Sequence, residues 1–290
     1  NLAQRGLGNV WPNPAVGCVI VKNGRVVGRG WTQPTGRPHA ETEALSRVGE
    51  LAQGATAYVT LEPCNHLGQT PPCTEALIKA GIKKVIIPTQ DPDIRVAGTG
   101  ISRLKEAGIE VEFGICQPEA DQLNRGFFSR VELSRPMFTL KIATTLDGKI
   151  ATQSGESQWI TGEMARRTAH RLRASHDAVM IGSGTALADN PALTCRLPGI
   201  SNERRQRIVL DGRLRLPMES NLVATADKVP VTIFTLPGDK KKQERINLFE
   251  NHGLTVQVAS EEAAQLDLGW VAEKLARSGL TRVFVEGGGT

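Results

Sequence analysis

Short apolar runs and helix-like stretches alternate along the chain. Ala15 to Val21 is apolar and Arg25 to Gly30 is β-prone, with Lys22-Asn23-Gly24 between them, and two such runs around Asn-Gly predict a β-hairpin. His39 to Leu45 follows Pro38 and is rich in Ala, Glu and Leu, which suits the start of a helix. Ala55 to Leu61 is β-prone and leads into Glu62-Pro63-Cys64. Thr74 to Gly81 reads as a helix stopped by glycine, and Lys84 to Ile87 as a buried strand. The pattern repeats as helix 100–107, Gly108 and strand 109–113. Strands that alternate with helices predict an α/β sheet.

A helix over 118–131 and a break at Ser134-Arg135-Pro136 precede a strand at 138–143. This predicts two α/β domains, 1–135 and 136–290. The second reads as helix 163–174, strand 178–181, a Gly182-Ser183-Gly184-Thr185 turn, strands 208–210 and 231–234, helix 242–251, strand 254–258, helix 268–278 and strand 282–285. Its last strand runs into Gly287-Gly288-Gly289. No internal repeat relates the halves.

With 40% apolar and 22% charged residues, disordered and fibrous classes are excluded. No apolar run is long enough for a membrane span, so no membrane partner is expected. The first residue is not Met and the chain ends in a glycine run, so an excerpt of a longer chain is expected, lacking the carboxy-terminal part of the second domain. The net charge of +5 weakly favours anionic ligands. Lys240-Lys241-Lys242 reads as a solvated loop leading into a helix. One Tyr and 4% aromatics leave little material for base stacking, so no nucleic-acid partner is expected. Five cysteines in so long a chain argue for free thiols in a reducing compartment. Cys18 lies in an apolar run, and Cys116 and Cys195 have no His or Cys nearby.

Cys64 and Cys73 remain, with eight residues between them, preceded by His39-Ala40-Glu41. Zinc on one imidazole and two thiolates keeps a fourth position for water and lowers that water's pKa towards ~7. A carboxylate two residues from the His can carry the proton without ligating. This is the H-x-E…P-C pattern of nucleobase deaminases, in which the second Cys usually follows after two residues. His39 and Cys73 each open an expected helix, where the dipole favours thiolate, and Cys64 closes an expected strand. A structural zinc site or a free thiol pair is the alternative. His66 is a rival ligand or a substrate-loop residue. Asn13, in Pro12-Asn13-Pro14, is a turn residue or an amide for a substrate's polar edge. His170, His176 and His252 read as structural.

Pro12 to Gly17, Pro38 to Glu41, Thr60 to Cys64, Gly68 to Cys73 and Gln90-Asp91-Pro92 together closely resemble the bifunctional deaminase and reductase family of riboflavin biosynthesis. The resemblance implies a cytidine-deaminase-like first domain with zinc on His39, Cys64 and Cys73 and Glu41 as proton shuttle. Where the family usually continues Asp-Pro-Asn-Pro, this chain has Asp91-Pro92-Asp93-Ile94.

In the second half, Lys141 to Ala151 reads as a strand running into an Asp-Gly turn, and Ser154 to Thr161 as a polar loop carrying Trp159. Two glycine-rich turns, at 182–185 and 287–290, follow strands, where backbone N–H groups can approach phosphates. Neither is G-x-G-x-x-G, so a Rossmann fingerprint is not expected. Together these segments resemble the family's carboxy-terminal reductase, with a dihydrofolate-reductase-like fold and NADPH as cofactor. The resemblance implies nucleotide contacts at Ala143, Trp159, Thr185, Asp189, Gly212, Gly288, Gly289 and Thr290. It implies substrate contacts at Ser157, Arg173, Leu193, Arg196 and Glu286, with Lys141 and Asp189 mattering for turnover. Arg173 and Arg196 suit phosphate oxygens, or else form surface ion pairs. Gly212 stands where a hydroxyl residue is common, which leaves only its backbone for contact.

The implied whole is a cytoplasmic homo-oligomeric enzyme acting on a small phosphorylated pyrimidine. It would hydrolyse the ring 2-amino group and then reduce the ribosyl group to ribityl. The rivals are a cytidine or tRNA-adenosine deaminase with an unrelated second domain, and a non-enzymatic binding protein stabilised by a four-ligand zinc.

Overall fold

A computed structural model describes residues 1–157, 159–260 and 263–287. The chain divides into two compact units, Asn1–Ser134 and Arg135–Thr290. Among the described residues no helix is long and apolar enough to cross a membrane.

The first unit opens with strands β1 (Gly17–Lys22) and β2 (Arg25–Trp31). Asn23 and Gly24 join them with φ of 49° and 73°, the pair of left-handed residues that a tight two-residue hairpin turn requires. Then follow α1 (Ala40–Val48), β3 (Thr56–Val59), α2 (Cys73–Lys79), β4 (Lys84–Ile87), α3 (Thr99–Glu106), β5 (Glu110–Phe113) and α4 (Gln117–Leu133). The sheet order is β2-β1-β3-β4-β5. β1 runs antiparallel to both neighbours, whereas β3, β4 and β5 are parallel. Cys18 and Ile20 of β1, Val85 and Ile87 of β4, Ala40 and Ala44 of α1, Leu77 of α2 and Leu104 of α3 share one buried core.

Helix α1 sits unusually close to the sheet because β2 offers it glycine. A Cβ on Gly30 would stand 2.2 Å from Ala40 O and 2.5 Å from Ala44 N, so only a bare backbone admits the helix. That contact sets the height of the α1 amino terminus and of His39, its capping residue. Buried Asn124 of α4 accepts from Ala15 N at 3.0 Å and donates to Ala15 O at 3.1 Å, which ties down the segment that enters β1.

The second unit contains β6 (Met137–Lys141), α5 (Glu163–Ala174), β7 (Ala178–Gly182), α6 (Ser183–Asp189), β8 (Gln206–Leu210), α7 (Asn221–Ala224), β9 (Val231–Thr235), α8 (Lys240–Asn251), β10 (Thr255–Val258), α9 (Leu268–Arg277) and β11 (Arg282–Glu286). Its strands are all parallel, in the order β10-β9-β8-β7-β11-β6. Arg207 of β8 is fully buried. Its guanidinium donates to the carbonyls of Ala192, Leu222, Thr225 and Val229 and to Thr225 Oγ1. Backbone acceptors thus replace the carboxylate that a buried charge ordinarily needs.

Several expected boundaries move. The strand expected to close on Cys64 stops at Val59, although one further bond in the same register, from Glu62 N to Thr89 O, still links the segments beyond β3 and β4. The strand expected to reach Ala143 ends at Lys141, leaving Ala143 in the connection beyond it. Ser183 to Thr185 form the first turn of α6 rather than a free turn. The three lysines 240–242 begin α8 rather than a loop, since the Asp239 side chain accepts from Lys242 N at 3.0 Å and caps the helix.

Candidate active sites

His39, Cys64 and Cys73 come from three elements and meet with their ligand atoms within 4.8 Å of one another. His39 ends the extended segment before α1, Cys64 lies beyond β3, and Cys73 is the first residue of α2. His39 Nδ1 stands 3.6 Å from Cys64 Sγ and 3.4 Å from Cys73 Sγ. A tetrahedral zinc with ordinary Zn–N and Zn–S lengths would separate nitrogen from sulfur by about 3.6 Å. The donor set therefore fits zinc in both chemistry and spacing. Cys73 N also donates to Cys64 Sγ at 3.4 Å.

The charges at the site are unequal. Cys64 is pushed down to about 4, chiefly by the hydrogen bond from the Cys73 thiol, with His39 adding to it. Cys73 is held up by that same bond and by burial, and His39 is raised mainly by its bond to Cys64. Glu41, only 4% exposed, is pushed up to about 7, first by burial and then by the Cys64 thiolate. A carboxyl poised there can both accept and release a proton near neutrality.

The Asn13 side chain lies against Gly36, in the space a Cβ there would need, one turn upstream of His39. His66 is not among the gathered ligand atoms, and its Nδ1 is buried without a protein hydrogen-bond partner. Asp93 is clasped by its neighbour Arg95 through Nε at 2.9 and 3.1 Å, while Ile94 is 90% exposed. Sequence reasoning missed Glu62. Its buried carboxylate accepts from the backbone N–H of Asp91, Gly98, Gly100 and Ile101 and so fixes the segment beside Cys64 to the start of α3. Asp91, next in that knot, is pushed up to about 7, mainly by burial.

In the second unit, candidate residues line the carboxyl ends of parallel strands, where open α/β sheets bind ligands. Lys141 ends β6, Glu286 ends β11 in register beside it, Gly182 ends β7 and leads into Thr185, and Gly212 follows β8. Arg173 and Glu286 were separate substrate expectations and prove to be partners. Arg173 Nη2 donates to Glu286 Oε2 at 2.8 Å, Nε bonds the other oxygen, and Nη1 donates to Thr194 O at 2.9 Å. The pair is mostly buried rather than a surface ion pair, with side chains 14% and 12% exposed. Leu193 turns its side chain into the core with a φ of 54°, so only its backbone faces outward contact. Asp189 and Arg196 are exposed, as are Ser157 and Trp159, and Arg166 covers the Trp159 ring at 4.6 Å. His170 Nδ1 accepts from Arg196 N at 3.3 Å, His176 is buried, and His252 Nδ1 bonds Leu248 O at 2.8 Å. Gly288, Gly289 and Thr290 lie outside the described residues.

Residues 2–89 match the family profile of the cytidine and deoxycytidylate deaminase zinc-binding region, and residues 136–290 that of the RibD C-terminal domain. The riboflavin biosynthesis protein RibD of Bacillus amyloliquefaciens is 45% identical over 288 residues, covering 99% of this chain and 76% of the relative. That of Escherichia coli K12 is 44% identical over 293 residues, covering 100% of this chain and 79% of the relative. Among solved structures, Acinetobacter baumannii RibD (form 1) matches with a TM-score of 0.86 at 41% identity, over 99% of this chain and 78% of that one. A diaminohydroxyphosphoribosylaminopyrimidine deaminase and 5-amino-6-(5-phosphoribosylamino)uracil reductase from Thermotoga maritima matches with a TM-score of 0.84 at 37% identity, with the same coverage. With both family profiles matched and relatives of this identity over almost its whole length, the chain belongs to the RibD family of riboflavin biosynthesis proteins.

Proposed function

We propose that the first unit removes the 2-amino group of 2,5-diamino-6-(5-phosphoribosylamino)pyrimidin-4(3H)-one. The second unit then reduces the ribosyl group of the resulting aminouracil to ribityl with NADPH. The observation that carries the reading is the His39 imidazole standing 3.4 and 3.6 Å from two thiols, with buried Glu41 two residues on. Zinc bound there supplies a Lewis acid that brings a water's pKa down towards ~7. Glu41 takes a proton from the attacking water and passes it on to the ring. Glu41 then moves the remaining hydroxyl proton to the exocyclic amino group, so that the exocyclic C2–N bond breaks, ammonia leaves and C2 is left as a carbonyl. The Asn13 carboxamide, packed on Gly36 beside the His39 turn, is suited to a polar edge of the pyrimidine.

In the second unit NADPH, when bound, supplies hydride to C1′ of the sugar, and the protein's task is to orient the two rings. Its proposed contacts are Ala143, Trp159, Thr185, Asp189, Gly212, Gly288, Gly289 and Thr290. Ser157, Arg173, the Leu193 backbone, Arg196 and Glu286 hold the substrate, and Lys141 and Asp189 serve turnover. The convergence of Lys141, Gly182, Gly212 and Glu286 on one end of a parallel sheet supports this reading, and that edge fits a nucleotide approached by backbone N–H groups. The two thiols must stay reduced to ligate, which favours the cytoplasm.

A cytidine-type deaminase with an unrelated appendage is not favoured, because residues 136–290 match the RibD C-terminal domain. A closed structural zinc needs a fourth protein ligand, and among the described residues three gather. The test is incubation of the chain with the phosphorylated diaminopyrimidine, with and without NADPH, and identification of both products by mass. Glu41→Gln should keep its zinc and release no ammonia; undiminished release would overturn the deaminase mechanism. Asp189→Ala should lose NADPH oxidation, and an unchanged rate would remove that residue from the site.

A further inference from the structure

We propose that Arg37 is a positioning residue for the deaminase, latching the loop between the two cysteine ligands to the turn that carries His39. The inference rests on the deaminase reading above. Loop 65–72 is held at its root, where Asn65 Nδ2 donates to Thr99 O at 3.3 Å and Thr74 Oγ1 to Asn65 Oδ1 at 2.9 Å. Beyond that root it projects outward, with Leu67 82% exposed and residues 68–71 exposed as well. At the far side Arg37 Nη1 donates to Thr70 Oγ1 at 2.7 Å, across 33 positions of sequence. A Cβ on Gly68 would stand 3.4 Å from Arg37 Nη2, so the guanidinium also lies close under the bare Gly68 backbone.

Arg37 Nη1 lies 3.5 Å from His39 Nε2. When Nδ1 serves as a ligand, Nε2 carries the proton, so both nitrogens are donors and do not bond each other. Arg37 therefore does not hold the imidazole, and its bond is to the loop. An exposed loop pinned in advance loses less freedom when substrate arrives. The latch should act on binding rather than on the chemical step, because Arg37 touches no reacting atom.

The experiment compares Arg37→Met, Thr70→Val and the double variant in the full chain. Each single change should raise KM for the phosphorylated diaminopyrimidine about fivefold to tenfold, the loss expected from one exposed hydrogen bond, with kcat held within about twofold. The double variant should be no worse than either single one, because both remove the same contact. Arg37→Lys, which keeps a donor, should recover part of the loss. Zinc content, and NADPH oxidation assayed directly with the deaminated aminouracil, should not change, which a general loss of fold would not allow. Amide exchange over residues 66–70 should quicken in Arg37→Met. An unchanged KM with unchanged exchange, additive losses in the double variant, or a fall in zinc content would overturn the latch. Absence of ammonia release from the unaltered chain would instead overturn the deaminase reading on which it rests.

Discussion

Glu62→Gln is nearly isosteric and is expected to undo the knot beside Cys64. The carboxylate is 3% exposed. Its Oε1 accepts from Gly100 N at 2.9 Å and Ile101 N at 3.0 Å, and its Oε2 from Gly98 N at 2.9 Å and Asp91 N at 3.3 Å. Glutamine keeps one acceptor oxygen and presents an NH2 where the other stood, so two backbone donors then face a donor. Two hydrogen bonds to a charged group, at ~1.5–3 kcal/mol each, put the loss at about 3–6 kcal/mol. That is a large share of the ~5–15 kcal/mol that stabilises a typical domain. Hydrogen exchange at Gly98, Gly100 and Ile101 should accelerate about 100-fold or more, since 1.4 kcal/mol corresponds to about tenfold. The urea midpoint of the first unit should fall with it. Exchange within about threefold of the parent, with an unmoved midpoint, would show that the N–H groups are satisfied without the charge.

Three further outcomes follow from the same structure. Zinc must displace the protons held on raised Cys73 and His39, whereas Cys64 is already ionised above about 4; chelator competition should show affinity rising about 100-fold or more from pH 6 to pH 8, and a flat profile would refute this protonation pattern. Buried His176 bonds Leu172 O at 2.6 Å and Thr139 Oγ1 at 2.8 Å, and burial pushes it down to about 4. Its folded pKa lies below the unfolded value of about 6.5, so the unfolded state binds the extra proton between those values. Stability should therefore fall by about 3 kcal/mol as pH drops from 6.5 to 4 and stay level above 6.5; denaturation of His176→Gln should show a shallower acid loss, and an unchanged slope would clear His176. Gly30→Ala places a Cβ 2.2 Å from Ala40 O, so α1 must lift and carry His39 off the thiols. Melting temperature and zinc per chain should both drop, at a cost of about 1–3 kcal/mol or more, and normal values would mean the helix contact does not set the ligand's position.

What was legible in the sequence is what short segments encode. The Asn23-Gly24 turn carries its own backbone requirement, and His39 and Cys73 stand at the starts of helices that local pattern marks, whereas Cys64 lies five residues past the strand expected to end on it. Glu62, by contrast, gives no signal, because its four partners are backbone N–H groups 29 to 39 residues away. Arg207 lies just outside the apolar run 208–210 and carries no signal of its own, yet carbonyls from four separate residues receive it in the core. Carbonyls and amides have no letter of their own, so a polar group satisfied by backbone is invisible until the fold is known.

The second unit shows the same limit at the level of topology. Alternation of strands and helices predicts a parallel sheet but not its order, and here the last strand, β11, enters between β6 and β7. That insertion sets Glu286 in register with Lys141 from the first strand and within reach of Arg173 on α5. Arg173 and Glu286 read separately as two groups for substrate, whereas together they neutralise each other. A phosphate that approached Arg173 would have to compete with a bidentate carboxylate. Arg196 is exposed and, among the described residues, is bonded through its backbone N–H to His170, so on the proposed reading it is the better placed of the two to meet a phosphate. Arg196→Met should therefore raise substrate KM in the reductase more than kcat suffers, whereas Arg173→Met should also unsettle β11, because it strands a buried Glu286. Equal effects of the two changes on KM, with equal melting temperatures, would mean that the ion pair opens for substrate.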